Sequence, residues 1–487
     1  MANMNLETAL EPEKLKRLVI EPLTRVEGHG KVTLLVDDHN HIQQARLHIV
    51  EFRGFEKFIQ GRPYWEAPVV VQRLCGICPV SHHLAAAKAV DQLVGVDKLS
   101  PTADNLRRLL HLGQVLQSHA LHFFHLSSPD LLFGFDDKVA HRNIFGVIRD
   151  LPKLGLRGIR LRKYGQEIIR MISGKRVHGV AAIAGGMNKP LAQADQQTLL
   201  SQIDEIIDWT QQAVDLITQL YTKNLDYQNF ATIQSPMLSL VAADGALELY
   251  DGPLRAIDAR GQTLFDQVPD SAYGDYIQEA VKPWSYMKFP FLIAQGAANG
   301  WYRVGPLARL NTCRYITTPK AEAARQALRQ QGFPLHSTLA YHWARMIEAL
   351  YCAESIKVLL LDETTLGQDL IRHGRMRREG IGVVEAPRGT LIHHYQIDAN
   401  GLIIKANLIV STTHNNQAMN ESIRQVAAHY LDGQPLNEGL LNQIEVAIRA
   451  YDPCLSCATH ALGKMPLQVH IQNRAGQTLA ALTQSSL

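Results

Sequence analysis

The chain has 487 residues, a net charge of +3, 46% apolar and 20% charged residues. This composition is that of a soluble globular protein, and a length prior of about 150 residues per domain allows roughly three domains. So small a charge gives no support for nucleic-acid or membrane-surface binding. Met1 to Lys16 is polar and mixed in charge, without the apolar core of a signal peptide. No run approaches the roughly 18–20 apolar residues of a membrane span, and Val358–Leu361 is far too short. The expected compartment is the cytoplasm, where cysteines stay reduced and serve metals or catalysis.

In chain order, Leu18 to Val50 alternates apolar and polar residues around a turn at Asp37–Asn40, which predicts strands and a hairpin. Cys78 to Val94 turns helical. Ser100-Pro101 reads as an N-cap with proline at the first helical position, opening a helix to about Phe124. Residues 140–235 read as helices broken near Gly185-Gly186, and 245–320, rich in Gly, Pro and aromatics, as irregular. Helices follow at 319–331 and 337–361, a strand-rich patch at about 379–412, and helices at about 417–431 and 438–450. Asp452-Pro453 stops the last of these. The fold class expected is α+β, mainly α: a β region at about 16–50, a helical body at about 78–361, a β patch at about 379–412 and C-terminal helices at about 417–450. Strand and helix do not alternate as in a doubly wound fold.

Two Cys-x-x-Cys motifs, Cys75-Gly76-Ile77-Cys78 and Cys454-Leu455-Ser456-Cys457, hold four of the six cysteines. Histidines follow each: His82 and His83, then His460. Two thiols three residues apart can face one side of a helical turn and grip one metal. Structural zinc suits four thiolates, but zinc ribbons space their knuckles roughly 15–20 residues apart, and nearly the whole chain separates these. Pro453-Cys454-x-x-Cys457 matches half of a zinc-deaminase signature, yet the nearest upstream histidine reads His429-Tyr430-Leu431 and lacks the His-x-Glu half. A thioredoxin-type dithiol needs only one pair and a βαβ setting. An all-thiolate site selects soft or borderline metals such as nickel, iron or zinc. Cys313 and Cys352 are isolated and read as buried apolar residues.

Taken together, Arg73-Leu74-Cys75-Gly76-Ile77-Cys78-Pro79-Val80-Ser81-His82, Asp452-Pro453-Cys454-Leu455-Ser456-Cys457-Ala458-Thr459-His460, the segment Glu21–His29 and Phe52-Arg53-Gly54-Phe55-Glu56 resemble the large subunit of nickel–iron hydrogenases. The motifs run from residue 21 to residue 460 in the family's order. The resemblance implies one domain over residues 1–460. It implies Cys75 and Cys454 as terminal nickel ligands, and Cys78 and Cys457 as bridges to an iron carrying carbonyl and cyanide. It implies that His82 hydrogen-bonds a bridging cysteine, that Glu56 and His460 bind magnesium, and that Arg388, with Asp452 beside it, stands over the open metal face. Glu27 matches the carboxylate that passes the proton outward; the alternative is an ion pair with Arg25 or another cation. Ser118 stands where many respiratory members carry Asp. His119, His122 and His125 are expected to pack or face a partner rather than hold a metal.

The flanking sequences are most similar to the cytoplasmic, bidirectional NAD-linked branch. Gly380-Ile381-Gly382 lacks the third glycine of a dinucleotide fingerprint, and too few cysteines remain for an iron–sulfur cluster. The resemblance therefore implies a hetero-oligomer: a small subunit with an iron–sulfur cluster, then diaphorase subunits with FMN, further clusters and the NAD site. It also implies a maturation protease that removes residues 461–487; a permanent C-terminal strand over Leu467–Ile471 is the alternative. Competing readings are a related hydrogenase coupled to deazaflavin or ferredoxin, a structural zinc protein, and the quinone-binding relative in respiratory complex I, which lacks the nickel cysteines.

Overall fold

The computed structural model describes residues 6–435, 437–459, 468–472 and 478–483. Near the N-terminus, Lys16–Ile20, Gly30–Val36 and Ile42–Ile49 form an antiparallel sheet in chain order. Its inner face is apolar: Val32, Leu34, Ala45 and Leu47 are fully buried. Asp37 closes the second turn by accepting from the amides of His39 and His41, each at 2.9 Å.

The longer helices are α1 (Pro79–Leu93), α2 (Pro101–Leu121), α3 (Pro152–Ser173), α4 (Gln193–Lys223), α5 (Pro319–Arg329), α6 (Ala340–Leu361), α7 (Asn416–Val426) and α8 (Glu438–Ala450). Ser100 caps α2 by accepting from the Ala103 amide at 3.2 Å. A π turn, His122–Ser127, carries α2 on. Helices α2 and α3 cross where glycine replaces a side chain: a Cβ on Gly165 would stand 2.5 Å from the Gly113 carbonyl oxygen.

Residues 237–292 differ from the expected irregular stretch. They contain two small antiparallel sheets, Met237–Leu240 with Leu254–Ile257 and Thr263–Val268, and Ile277–Ala280 with Phe289–Leu292. Met237–Leu240 and Leu254–Ile257 are buried on both faces, so their sequences carry no alternation to read.

A further three-stranded sheet, Glu379–Ala386, Gly389–Ile397 and Ile403–Ile409, lies against α1. Here the Gly-x-Gly of the sequence finds its use. A Cβ on Gly380 would lie 2.1 Å from the Ala89 oxygen, and one on Gly382 2.0 Å from the Ala85 oxygen. The glycines bring the strand onto the helix. Ala386 pairs with Gly389, leaving Pro387-Arg388 as a two-residue hairpin tip. That tip projects toward the end of the chain. The two ends of the chain meet there: Glu27 and Cys454 form an isolated parallel bridge, with the Leu455 amide donating to the Glu27 carbonyl at 2.9 Å. Beyond Thr459, Gln468–Gln472 pairs with Thr478–Thr483.

Candidate metal centre

Cys75 and Cys78 occupy the loop that leads into α1, where Pro79 supplies the first helical turn. The Cys75 sulfur accepts from the amides of Ile77 and Cys78 at 3.2 and 3.3 Å. Cys454 follows α8 through Asp452, whose φ of 53° turns the chain sharply inward. The Cys454 amide donates to Thr412 Oγ1 at 3.0 Å, and the Cys457 amide to the Cys454 carbonyl at 3.2 Å. The pairs thus face each other: Cys75 Sγ stands 3.3 Å from Cys454 Sγ, and Cys78 Sγ 3.9 Å from Cys457 Sγ. All four sulfurs lie within 4.8 Å of one another, all four are buried, and all are free thiols.

Their electrostatics suit a cation. Burial pushes the thiols of Cys454 and Cys457 up. Hydrogen bonds from Cys454, Cys457 and Cys75 hold the Cys78 thiol well below the usual range, against burial. Such a cluster deprotonates fully only when a metal takes its charge. Four sulfur donors at this spacing fit nickel, iron or zinc by ligand softness.

One side of the cluster opens on a cavity lined by Cys78, His82, Arg388, Leu391, Thr412 and Cys454, with room for about one water-sized molecule. Arg388 reaches it from the hairpin tip. Its Nε donates to the Asp452 carbonyl at 2.5 Å and its Nη2 to Asp452 Oδ1 at 3.0 Å. Burial opposes the Arg388 charge, but Asp452 and the sulfurs of Cys454, Cys78 and Cys75 outweigh it and hold the guanidinium protonated. Nη1 of Arg388 and Oδ2 of Asp452 are buried without a partner among the described residues. A cation and an unused donor therefore face the cavity.

Glu27 approaches from the opposite strap of chain. Its Oε2 lies 2.9 Å from Cys454 Sγ and accepts from the Ser456 amide at 3.2 Å; its Oε1 accepts from the Ser456 hydroxyl. Gly28, at φ +84°, makes this approach possible, since a Cβ there would sit 2.6 Å from the Ser456 nitrogen. Arg25 does not pair with Glu27. It donates to Asp130 at 2.6 Å and to the Leu126 carbonyl at 2.9 Å.

The family model described as nickel-dependent hydrogenase matches residues 53–133 and 250–460, and a HoxL-like model matches residues 17–52. The chain belongs to the nickel-dependent hydrogenase family. It is 45% identical to the NAD-reducing hydrogenase HoxS subunit beta of Cupriavidus necator, covering 95% of this chain and 99% of that one. An F420-non-reducing hydrogenase chain of Methanothermobacter marburgensis is 42% identical, over 92% of this chain and 95% of that one. A crystal structure of an NAD+-reducing [NiFe]-hydrogenase in the H2-reduced state superposes with a TM-score of 0.90 at 56% identity, covering 91% of this chain and 99% of that chain. The four-thiol cluster is the feature that a nickel-dependent hydrogenase requires.

The remaining candidates fall around this hydrogenase centre. Glu56 is partly buried, accepts from the Leu408 amide at 2.8 Å, and has its carboxyl pushed up by burial. His460 lies outside the described residues, but the amides of Arg53 and Gly54 hold the preceding Thr459 carbonyl at 3.1 and 3.3 Å. His119 Nε2 donates to Glu348 Oε2 at 2.9 Å, and His122 stacks on His342 while holding the Arg449 carbonyl at 2.7 Å. Both are buried packing residues. Ser118 is buried too, its hydroxyl unpartnered among the described residues.

Sequence reasoning missed Ser456 and Thr412, which orient Glu27 and Cys454. It also missed Arg309, which joins Glu348 and Glu385 behind the Arg388 hairpin at 2.5 and 2.7 Å. Ser456 lies inside a quoted motif, but only the bridge between residues 27 and 454 reveals its partner.

Proposed function

We propose that this chain is the catalytic subunit of a nickel–iron hydrogenase that splits H2 heterolytically and sends the electrons through partner subunits to NAD+. The observation that carries this reading is the Glu27 carboxylate 2.9 Å from one sulfur of a buried four-thiol cluster, with Arg388 on the cavity side. Cys75 and Cys454 would hold nickel terminally, and Cys78 and Cys457 would bridge it to an iron with carbonyl and cyanide ligands. Bound there, the metals supply the Lewis acidity and electron acceptance that H2, apolar and barely acidic, needs to split. The Cys454 sulfur takes the proton and Glu27 Oε2 receives it. Ser456 holds the carboxylate in line from Oε1 and through its amide. Arg388, fixed by Asp452, presents positive charge to the cavity, and His82 steadies the Cys78 sulfur.

The same reading gives magnesium to Glu56 and His460, where a cation would relieve a buried carboxyl. It assigns an iron–sulfur small subunit plus diaphorase subunits carrying FMN and the NAD site. It assigns a maturation protease that removes residues 461–487, and a cytoplasmic location. Among the described residues no helix is long and apolar enough to cross a membrane. The use of Gly380 and Gly382 in helix packing supports an NAD site on another polypeptide. A second reading is transfer to another carrier, deazaflavin or ferredoxin; the relative at 42% identity is named only for not reducing F420.

The test is the purified complex. Nickel and iron near one each, infrared bands of carbonyl and cyanide, and H2-dependent reduction of NAD+ are expected. Zinc alone rejects a hydrogenase centre, and reduction of ferredoxin without NAD+ selects the second carrier. The intact mass of the active protein should correspond to a chain ending at His460; a chain ending at Leu487 refutes the cut.

A further inference from the structure

In the strand Gly389–Ile397, His393 and Tyr395 stand two residues apart and share one face. Both are fully buried. The Tyr395 hydroxyl lies 2.5 Å from His393 Nδ1, and His393 Nε2 lies 3.1 Å from His82 Nδ1. His82 and Cys78 line the same small cavity, four residues apart at the start of α1. Tyr395, His393 and His82 thus form a hydrogen-bonded line from the core to the cavity beside Cys78.

The line has a direction. Among the described residues the Tyr395 hydroxyl meets no hydrogen-bond partner except His393. A buried hydroxyl proton without an acceptor is costly, so Tyr395 donates to His393 Nδ1. His393 then carries its proton on Nε2 and donates to His82 Nδ1. His82 is left with its proton on Nε2, the nitrogen that remains for the sulfur. The reverse order would turn a lone pair of His82 toward a thiolate and strand the Tyr395 proton.

We propose that Tyr395 and His393 are positioning residues that lock the His82 tautomer and aim a polarised N–H at the Cys78 sulfur. This rests on Cys78 being a metal ligand. Hydrogen bonds in series strengthen one another, and a donor on a metal thiolate draws electron density from the centre. The relay therefore raises the centre's reduction potential without touching substrate.

The test is Tyr395→Phe in the intact, metal-loaded complex, since it removes one oxygen and keeps the ring. In complex carrying nitrogen-15 histidine, reduced to an EPR-silent state, the ring nitrogens of His393 and His82 should shift toward a mixture of tautomers. His393→Gln provides the assignment by difference. The midpoint potential of the nickel centre should move to more negative values in both variants. Unchanged ring-nitrogen shifts in Tyr395→Phe overturn the relay, and a fixed potential despite a tautomer change overturns its tuning role. Metal content, measured on the same samples, separately reports whether the cluster holds nickel and iron.

Discussion

Glu27→Gln isolates the proton step. The amide keeps the size of the carboxylate, and one oxygen can still accept from Ser456. Its nitrogen, placed 2.9 Å from Cys454 Sγ where Oε2 now stands, cannot take a proton from that sulfur. A positioned acid–base group contributes about 10²–10⁴-fold, or roughly 3–5 kcal/mol of barrier. Turnover of H2 with an artificial dye should fall by about that factor. Nickel and iron content should be unchanged, because Glu27 is not a ligand. Glu27→Asp provides a graded case. Removing one methylene draws the carboxylate back by about 1.5 Å, and a displacement near 1 Å can cost about 10²-fold. The assays are dye-linked H2 oxidation and H2/D2 exchange on metal-analysed protein. Glu27→Gln above a tenth of wild-type turnover would refute the proton path through this carboxylate.

Gly28→Ala forces a left-handed residue to carry a Cβ 2.6 Å from the Ser456 nitrogen; it should lower stability by at least about 1–2 kcal/mol and reduce nickel content, read by thermal unfolding and metal analysis. Arg388→Lys loses the two-point grip on Asp452 and should lower turnover by about 10²-fold with the metals retained; wild-type rates would remove Arg388 from the reaction. Burial lowers His83, His111 and His119 to about 4, so their rings stay neutral in the fold while the unfolded chain takes protons below about 6.5. Stability is full above that value and drains away as pH falls from about 6.5 to 4, by roughly 3 kcal/mol for each such ring. Melting temperatures that stay flat across this window would contradict it.

The four-thiol cluster and most helices were legible because their signals are local. A Cys-x-x-Cys pair, Ser100-Pro101 before α2 and Asp452-Pro453 after α8 each announce themselves within a few residues. The strands near 237–257 were not legible, since burial of both faces erases alternation. Nor was the support around the ligands. Glu27 meets Ser456 across 429 positions of sequence, and His82 meets His393 across 311. The strand-rich patch at 379–412 does not reveal which helix the face carrying His393 and Tyr395 would meet. Ligand identity lies in short motifs, whereas the groups that orient ligands come from whatever tertiary packing brings past them.

The separation of the two cysteine pairs has a consequence for how the chain is made. An ion that joins Cys75 to Cys454 closes a loop of 379 residues. In the chain-entropy relation such a closure removes about 6 kcal/mol of freedom from the unfolded chain. At ordinary synthesis rates of about 5–20 residues per second, the first pair waits roughly 20–80 s for the second to emerge. A chain cut short before Cys454 carries half a site and cannot close the loop. Occupancy of the centre therefore certifies that the chain has been synthesised and folded through Cys457.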